Sequence, residues 1–162
     1  MRLDGSCYCG AVRFTLESRH PYPFNLCYCS ICRKTAGGGG YAINLGGDTK
    51  SLKVKGRRKV RVYQAMVRNP EDKRATRSSA KRHFCGTCGS ALWLWDPTWP
   101  ELIHPFASAI DTKLPKAPER THLMLDFKAP WVEPCFRKRD KRFARYPEES
   151  IAEWHERLDV EK

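Results

Sequence analysis

Seven of the eight cysteines fall into three tight groups: Cys7 with Cys9, Cys27 with Cys29 and Cys32, and Cys85 with Cys88. Thiols spaced this closely read as metal ligands. Thiolate sites that only hold a fold together take four ligands and close around zinc. The CxC and CxxC pairs make one such closed set, Cys7, Cys9, Cys85 and Cys88. The triplet is one ligand short, and a metal with an unfilled position can do chemistry. Closure of the triplet by the lone Cys135 or by a histidine is the alternative. A ribbon joining Cys29 and Cys32 with Cys85 and Cys88 would need a far longer gap than that pattern uses and would strand the CxC pair.

Disulfides are the poorer reading. The start, MRLDGSCYCG, has no apolar signal region, which predicts a protein that is not exported and keeps its thiols reduced. The expected location is the cytoplasm, with the nucleus as the alternative. No stretch approaches the roughly 20 apolar residues of a membrane span. The 162 residues suit one domain with a tail, and 41% of them are apolar, enough for a real core. The formal charge of +12 falls to about +9 once one closed and one three-thiolate zinc site are counted. That favours acidic partners: nucleic acid, an anionic surface, or a small substrate carrying carboxylates.

The pattern is β-rich. Val12, Phe14 and Leu16 alternate with Arg13, Thr15 and Glu17, as in a half-buried strand. Tyr41, Ile43 and Leu45 alternate again. Leu52, Val54, Val60 and Val62, with Gly56 between, predict a hairpin whose other face, Lys53, Lys55 and Arg61, is basic. Arg68–Lys81 reads as a loop, and Ala91–Trp95, Leu102–Ile110 and Leu123–Phe127 read as strands. The run Gly37–Gly40 excludes a stable helix and lets backbone approach a ligand or metal. Ile151, Trp154 and Leu158 recur at helical spacing behind Pro147, the one helix expected. The division is therefore residues 1–134 as a zinc-binding domain and 135–162 as a basic linker with a C-terminal helix.

The CxC thiols are expected on one side of an extended strand. Gly86 and Gly89 let the CGTCG segment wrap so that amides point at sulfur. Arg33 and Lys34 directly follow the triplet. They suit a carboxylate-bearing ligand and would favour nearby thiolates, or are simply two solvated charges. His104 and His122 lie in apolar strands and read as core residues. His83 is a possible support of the CGTCG segment, and His20 and His155 read as surface positions. Trp93, Trp95, Trp99 and Trp131 are expected in the core or at a pocket rim.

GSCYCGAVRF, CYCSICRKTAGGG, HFCGTCGSALW and FKAPWVE together resemble the glutathione-dependent formaldehyde-activating enzyme family, which includes the domain of centromere protein V. The resemblance covers residues 3–134, and the tail from Tyr146 to Leu158 also looks like family ends. It implies the mainly β, zinc-bound complex β-sheet fold shared with the Rab-exchange chaperone Mss four. It implies two zinc ions, a structural one on the CxC and CxxC pairs and a second on the triplet at the reaction centre. It also implies a carbon–sulfur lyase or synthase that joins glutathione with formaldehyde into S-hydroxymethylglutathione. Many relatives carry histidine between the first two triplet thiols, where this chain has Tyr28. The competing expectation is a non-catalytic zinc module that grips nucleic acid through its basic face.

Overall fold

The computed structural model describes residues 1–67 and 73–161. Among them are fourteen short strands, four 3-10 turns and two helices. The chain is mainly β, as its alternating patterns require.

A three-stranded antiparallel sheet joins Arg2–Ser6, Arg13–Glu17 and Lys53–Lys55. In Arg13–Glu17 the apolar Phe14 and Leu16 point inward and the polar residues point out, the expected period of two. A five-stranded sheet orders Gly47–Asp48, Leu102–Pro105, Ala91–Trp95, Lys81–Cys85 and Val60–Tyr63. The main core lies between these sheets, built on Leu3, Phe14, Leu16, Leu92, Trp93 and Ile103. Phe14 meets Trp93 edge-on at 5.1 Å across the gap, a favoured aromatic geometry.

A third sheet carries the triplet. It orders Lys141–Arg142, Thr121–Leu123, Asn25–Cys27 and Ala42–Ile43, with its first two pairings parallel. The basic segment after Pro134 therefore supplies a strand to the sheet that ends in Cys27.

The predicted hairpin around Gly56 does not form. Lys53–Lys55 pairs with Arg13–Glu17, whereas Val60–Tyr63 pairs with Lys81–Cys85 in another sheet. Gly56 adopts φ +76°, and a Cβ there would strike the Ala11 carbonyl, so the chain turns away through a 3-10 turn at Arg57–Lys59. Val62, expected inward, is 52% exposed. Of the predicted loop Arg68–Lys81, residues 68–72 lie outside the described part. The remainder contains a two-residue strand, Thr76–Arg77, paired with Met66–Val67. The predicted strand Leu102–Ile110 stops at Pro105 and passes into a 3-10 turn at Ala107–Ala109. The strand expected at Leu123–Phe127 lies earlier, at Thr121–Leu123, because Met124 adopts φ +62° and Leu125–Phe127 then curls into a 3-10 turn.

The C-terminal helix spans Ile151–Arg157. Ser150 and Glu153 form a reciprocal capping box, a signal the helical spacing alone does not reveal. Trp154 is fully buried and stacks on Phe24 with centroids 3.8 Å apart. His155, expected at the surface, is fully buried one position on. Its Nδ1–H donates to the Ile151 carbonyl at 2.8 Å, and Nε2 accepts from the Tyr22 amide at 3.4 Å. Arg157 ties the helix to Glu119 at 2.6 Å and to Glu149. Trp154→Ala should cost about 3–5 kcal/mol of stability, read as a lower denaturant midpoint with an unchanged slope.

Candidate metal centres

Cys7 lies just past the Arg2–Ser6 strand, and Cys9 sits in the turn that follows. The two thiols converge through this turn rather than along an extended strand, because Gly10 adopts φ +72° and the Gly10 amide donates to the Cys7 carbonyl. On the far side of the sequence, Cys85 ends the Lys81–Cys85 strand, and Gly89 at φ +77° folds the chain back. The four sulfur atoms of Cys7, Cys9, Cys85 and Cys88 all lie within 4.8 Å of one another. Cys7 and Cys9 are 3.5 Å apart, Cys9 and Cys85 3.9 Å. A tetrahedron with metal–sulfur bonds of about 2.3 Å needs sulfur separations of about 3.8 Å. The donor set fits a closed four-thiolate site.

Backbone amides support these sulfurs. Val12 N–H donates to Cys7 Sγ at 3.2 Å and Thr87 N–H to Cys85 Sγ at 3.4 Å. Burial pushes the Cys85 thiol up, but N–H groups of Cys88 and Thr87 reverse this and lower its pKa. The Ser90 hydroxyl and amide bring Cys88 down to about 5. Both shifts favour the thiolate that a metal binds.

The triplet is built differently. Cys27 ends its strand, and Cys29 caps a six-residue helix, Ser30–Thr35, that the sequence reading missed. Cys29 Sγ accepts from the Cys32 amide at 3.3 Å. The turn of this helix brings Cys32 back over Cys29, so the three sulfurs lie within 4.8 Å. No fourth cysteine, histidine or carboxylate joins them among the described residues. Cys135 is exposed and lies elsewhere, at a small cavity beside Tyr28, His122 and Trp131. The bed is apolar: Ala42, Leu94, Phe106 and Leu123 pack around Cys27 and Cys32. Hydrogen bonds from Cys27 and Cys32 lower the Cys29 pKa to about 2. The reciprocal bonds to Cys29, with burial, raise that of Cys27. Cys32 is drawn down by Cys27 but raised overall, to about 11, by Cys29 and burial. One thiolate held by two thiols is a charge arrangement that a divalent cation on all three sulfurs would replace.

Arg33 and Lys34 stand on the same helix and line an open cavity of about 410 Å³ with Gly38, Ser90, Ala91 and Ser108. Ser90 in turn contacts Cys88 Sγ at 3.2 Å. The glycine run does turn the chain, but its close approaches at Gly37 and Gly40 are to Tyr41 and Val132, not to a sulfur. His83 stacks on Trp93 and is no member of the sulfur sets. Trp99 and Trp131 are exposed and Trp93 is core.

Behind the triplet runs a buried relay. His122 Nε2–H donates to Asp140 at 3.2 Å, and Tyr28 O–H donates to His122 Nδ1 at 2.9 Å. Asp140 also accepts from Arg120 Nε at 2.9 Å and the Arg137 amide at 2.8 Å, and its side chain is wholly buried. Burial alone would raise the Asp140 pKa, but Arg120, Arg137 and His122 hold it well below the carboxylate range. Burial lowers the His122 pKa, which keeps the imidazole neutral. Tyr28 sits between Cys27 and Cys29, so the relay anchors the turn that carries the sulfur triplet. The lone acid in RKRDKR was the one hint of it in the sequence.

Comparison with known proteins accords with this geometry. The family described as glutathione-dependent formaldehyde-activating enzyme matches residues 2–125. A protein of Halomonas elongata, provisionally named glutathione-dependent formaldehyde-activating enzyme, is 60% identical over the whole chain and 99% of its own length. The crystal structure of a Rhodobacter sphaeroides protein is similar with a TM-score of 0.51 and 27% identity, over 71% of this chain and 92% of that one.

Asp140→Ala should destabilise the fold by about 3–5 kcal/mol, since it leaves Arg120 facing a buried gap. Its depressed native pKa fixes the pH sense. The stabilisation is complete above the unfolded carboxylate value of about 4 and is lost as pH falls through the lower folded value. Denaturant titrations at neutral and acid pH should show the wild-type advantage over the variant shrinking as pH falls.

Proposed function

Because the chain belongs to the glutathione-dependent formaldehyde-activating enzyme family, we propose that it is a carbon–sulfur lyase or synthase joining glutathione, or a closely related thiol, with formaldehyde. The observation that carries this reading is the triplet: three sulfurs in an apolar bed, with no fourth protein ligand among the described residues.

Two zinc ions are proposed, one on Cys7, Cys9, Cys85 and Cys88, the other on Cys27, Cys29 and Cys32. Zinc on the triplet would supply a Lewis acid with an open position and a preference for thiolate. The chain's own residues do the rest. Cys27, Cys29 and Cys32 hold the reaction centre at the mouth of a short helix. The Tyr28–His122–Asp140 relay fixes the turn between the first two ligands. Arg33 and Lys34, at the adjoining cavity, attract the carboxylates of the thiol and draw it toward the centre. The apolar bed limits water there and strengthens local electrostatics.

The bond-making is simple. The thiol gives up its proton, its sulfur attacks the aldehyde carbon, the carbonyl electron pair moves to oxygen, and that oxygen takes up the proton the thiol lost, giving a hydroxymethyl thioether. No oxidant or reductant is needed. Thiols add to aldehydes unaided, so orientation of the two reactants can supply much of the acceleration required.

Zinc stoichiometry and formaldehyde-plus-glutathione turnover on three proteins test the division of labour. Wild type should carry two zinc ions per chain and turn over. Cys29→Ser should stay folded with one zinc and lose turnover. Cys85→Ser should lose its fold, because structural zinc sites contribute folding free energy. Equal unfolding of the two variants would overturn the assignment of a structural and a reactive site.

A further inference from the structure

Arg82 lies opposite Leu94 in the Lys81–Cys85 and Ala91–Trp95 pairing, and directly opposite residues share a sheet face. Leu94 packs onto the apolar cluster that holds Cys27 and Cys32, so Arg82 stands on the face turned toward the triplet. His83, next in the strand, turns the other way and stacks on Trp93.

Arg82 is only 8% exposed. Its Nε and Nη1 are buried and have no hydrogen-bond partner among the described residues. A guanidinium is always charged and has donors but no acceptor. Burying such donors unpaired is costly, so the arrangement favours an acceptor that arrives from outside the chain. The surroundings of Arg82 point to where it would arrive. Across the ladder Leu94 packs on the cluster of Cys27 and Cys32, so an acceptor reaching the Arg82 guanidinium on that face arrives beside the triplet.

We propose that Arg82 is the anion receptor of the triplet site, its guanidinium N–H groups taking an anionic oxygen of the substrate. The assignment rests on the functional reading above. That oxygen has two possible sources: a carboxylate of the thiol, or the carbonyl oxygen of formaldehyde as it gains the electron pair when sulfur attacks carbon. The competing role is bare charge balance for three thiolates around a dication, which would make Arg82 matter for metal retention and nothing else.

The test uses zinc-loaded wild type, Arg82→Met and Arg82→Lys. Calorimetric binding of S-methylglutathione and of its diethyl ester reads carboxylate capture without turnover. Steady-state kinetics with formaldehyde and either glutathione or 2-mercaptoethanol read the second source. A carboxylate source predicts that Arg82→Met retains zinc, binds S-methylglutathione about tenfold or more weakly, and binds the diester as wild type does. A carbonyl-oxygen source predicts unchanged S-methylglutathione binding and a fall in kcat of similar size with both thiols. Either result supports the receptor.

Unchanged binding and unchanged kcat overturn it, as does zinc loss in Arg82→Met that Arg82→Lys fully repairs along with binding and turnover. If Arg82→Met does not fold, Arg82→Lys decides alone: it keeps the charge but not the planar donors, and wild-type behaviour in both assays overturns the proposal. Absence of wild-type turnover with glutathione and formaldehyde would sink the functional reading, while the S-methylglutathione arm would still decide on Arg82.

Discussion

Sulfur atoms held 3.5–3.9 Å apart cannot all ionise unless a cation lies between them. That constraint shapes the molecule. The Cys7–Cys9 turn follows the first strand of one sheet, and Cys85 ends a strand of another. A metal ion on this set would tie the two sheets where their shared core meets solvent. The core itself is small strands and a few aromatics, with Phe14 against Trp93 as its central contact. Short strands of two to five residues bring little cooperativity of their own. A sulfur cage that joins sequence-distant segments is an effective way to hold such a fold.

The triplet works under the opposite condition. Its thiols are close in sequence, so an ion there would tie little together. What it needs is a rigid turn, and the rigidity comes from elsewhere. The helix Ser30–Thr35 fixes Cys29 relative to Cys32, and Tyr28 is pinned through His122 to Asp140. Asp140 belongs to a basic segment more than a hundred residues away. The strand Lys141–Arg142 lays that segment beside Thr121–Leu123, which in turn pairs with Asn25–Cys27. The tail is thus part of what shapes the turn of the sulfur triplet, rather than an appendage to it.

Charge follows the same division. The chain is strongly basic, yet the basic residues near the triplet are few and specific. Lys34 meets solvent in an open cavity, where its interaction with an anion is screened, while Arg33 beside it is half-buried with its Nε out of solvent. Arg82 is desolvated, so its interaction with an anionic oxygen would be far stronger. Lys53 and Lys55 belong to a different sheet from Arg61, because the expected hairpin does not close.

Much of this was legible in the sequence. Thiol spacing marked both sulfur sets, since ligands one to two residues apart reach a common ion from almost any local backbone. Alternation marked Arg13–Glu17 and Ala91–Trp95, because a sheet face buries every second residue. Helical spacing at Ile151, Trp154 and Leu158 marked the last helix. Other features had no local signal. That Gly56 sends its flanking strands to different sheets depends on the Ala11 carbonyl beside it. That His155 is buried, and that Asp140 reaches His122, depends on packing between segments distant in the chain. Arg82 reads as one more basic residue before a CxxC motif until the sheet register sets it opposite Leu94. Local spacing fixes which atoms can share an ion. Only long-range strand pairing decides which charged groups are stripped of water around it, because desolvation is a property of the whole packed body and of no single segment.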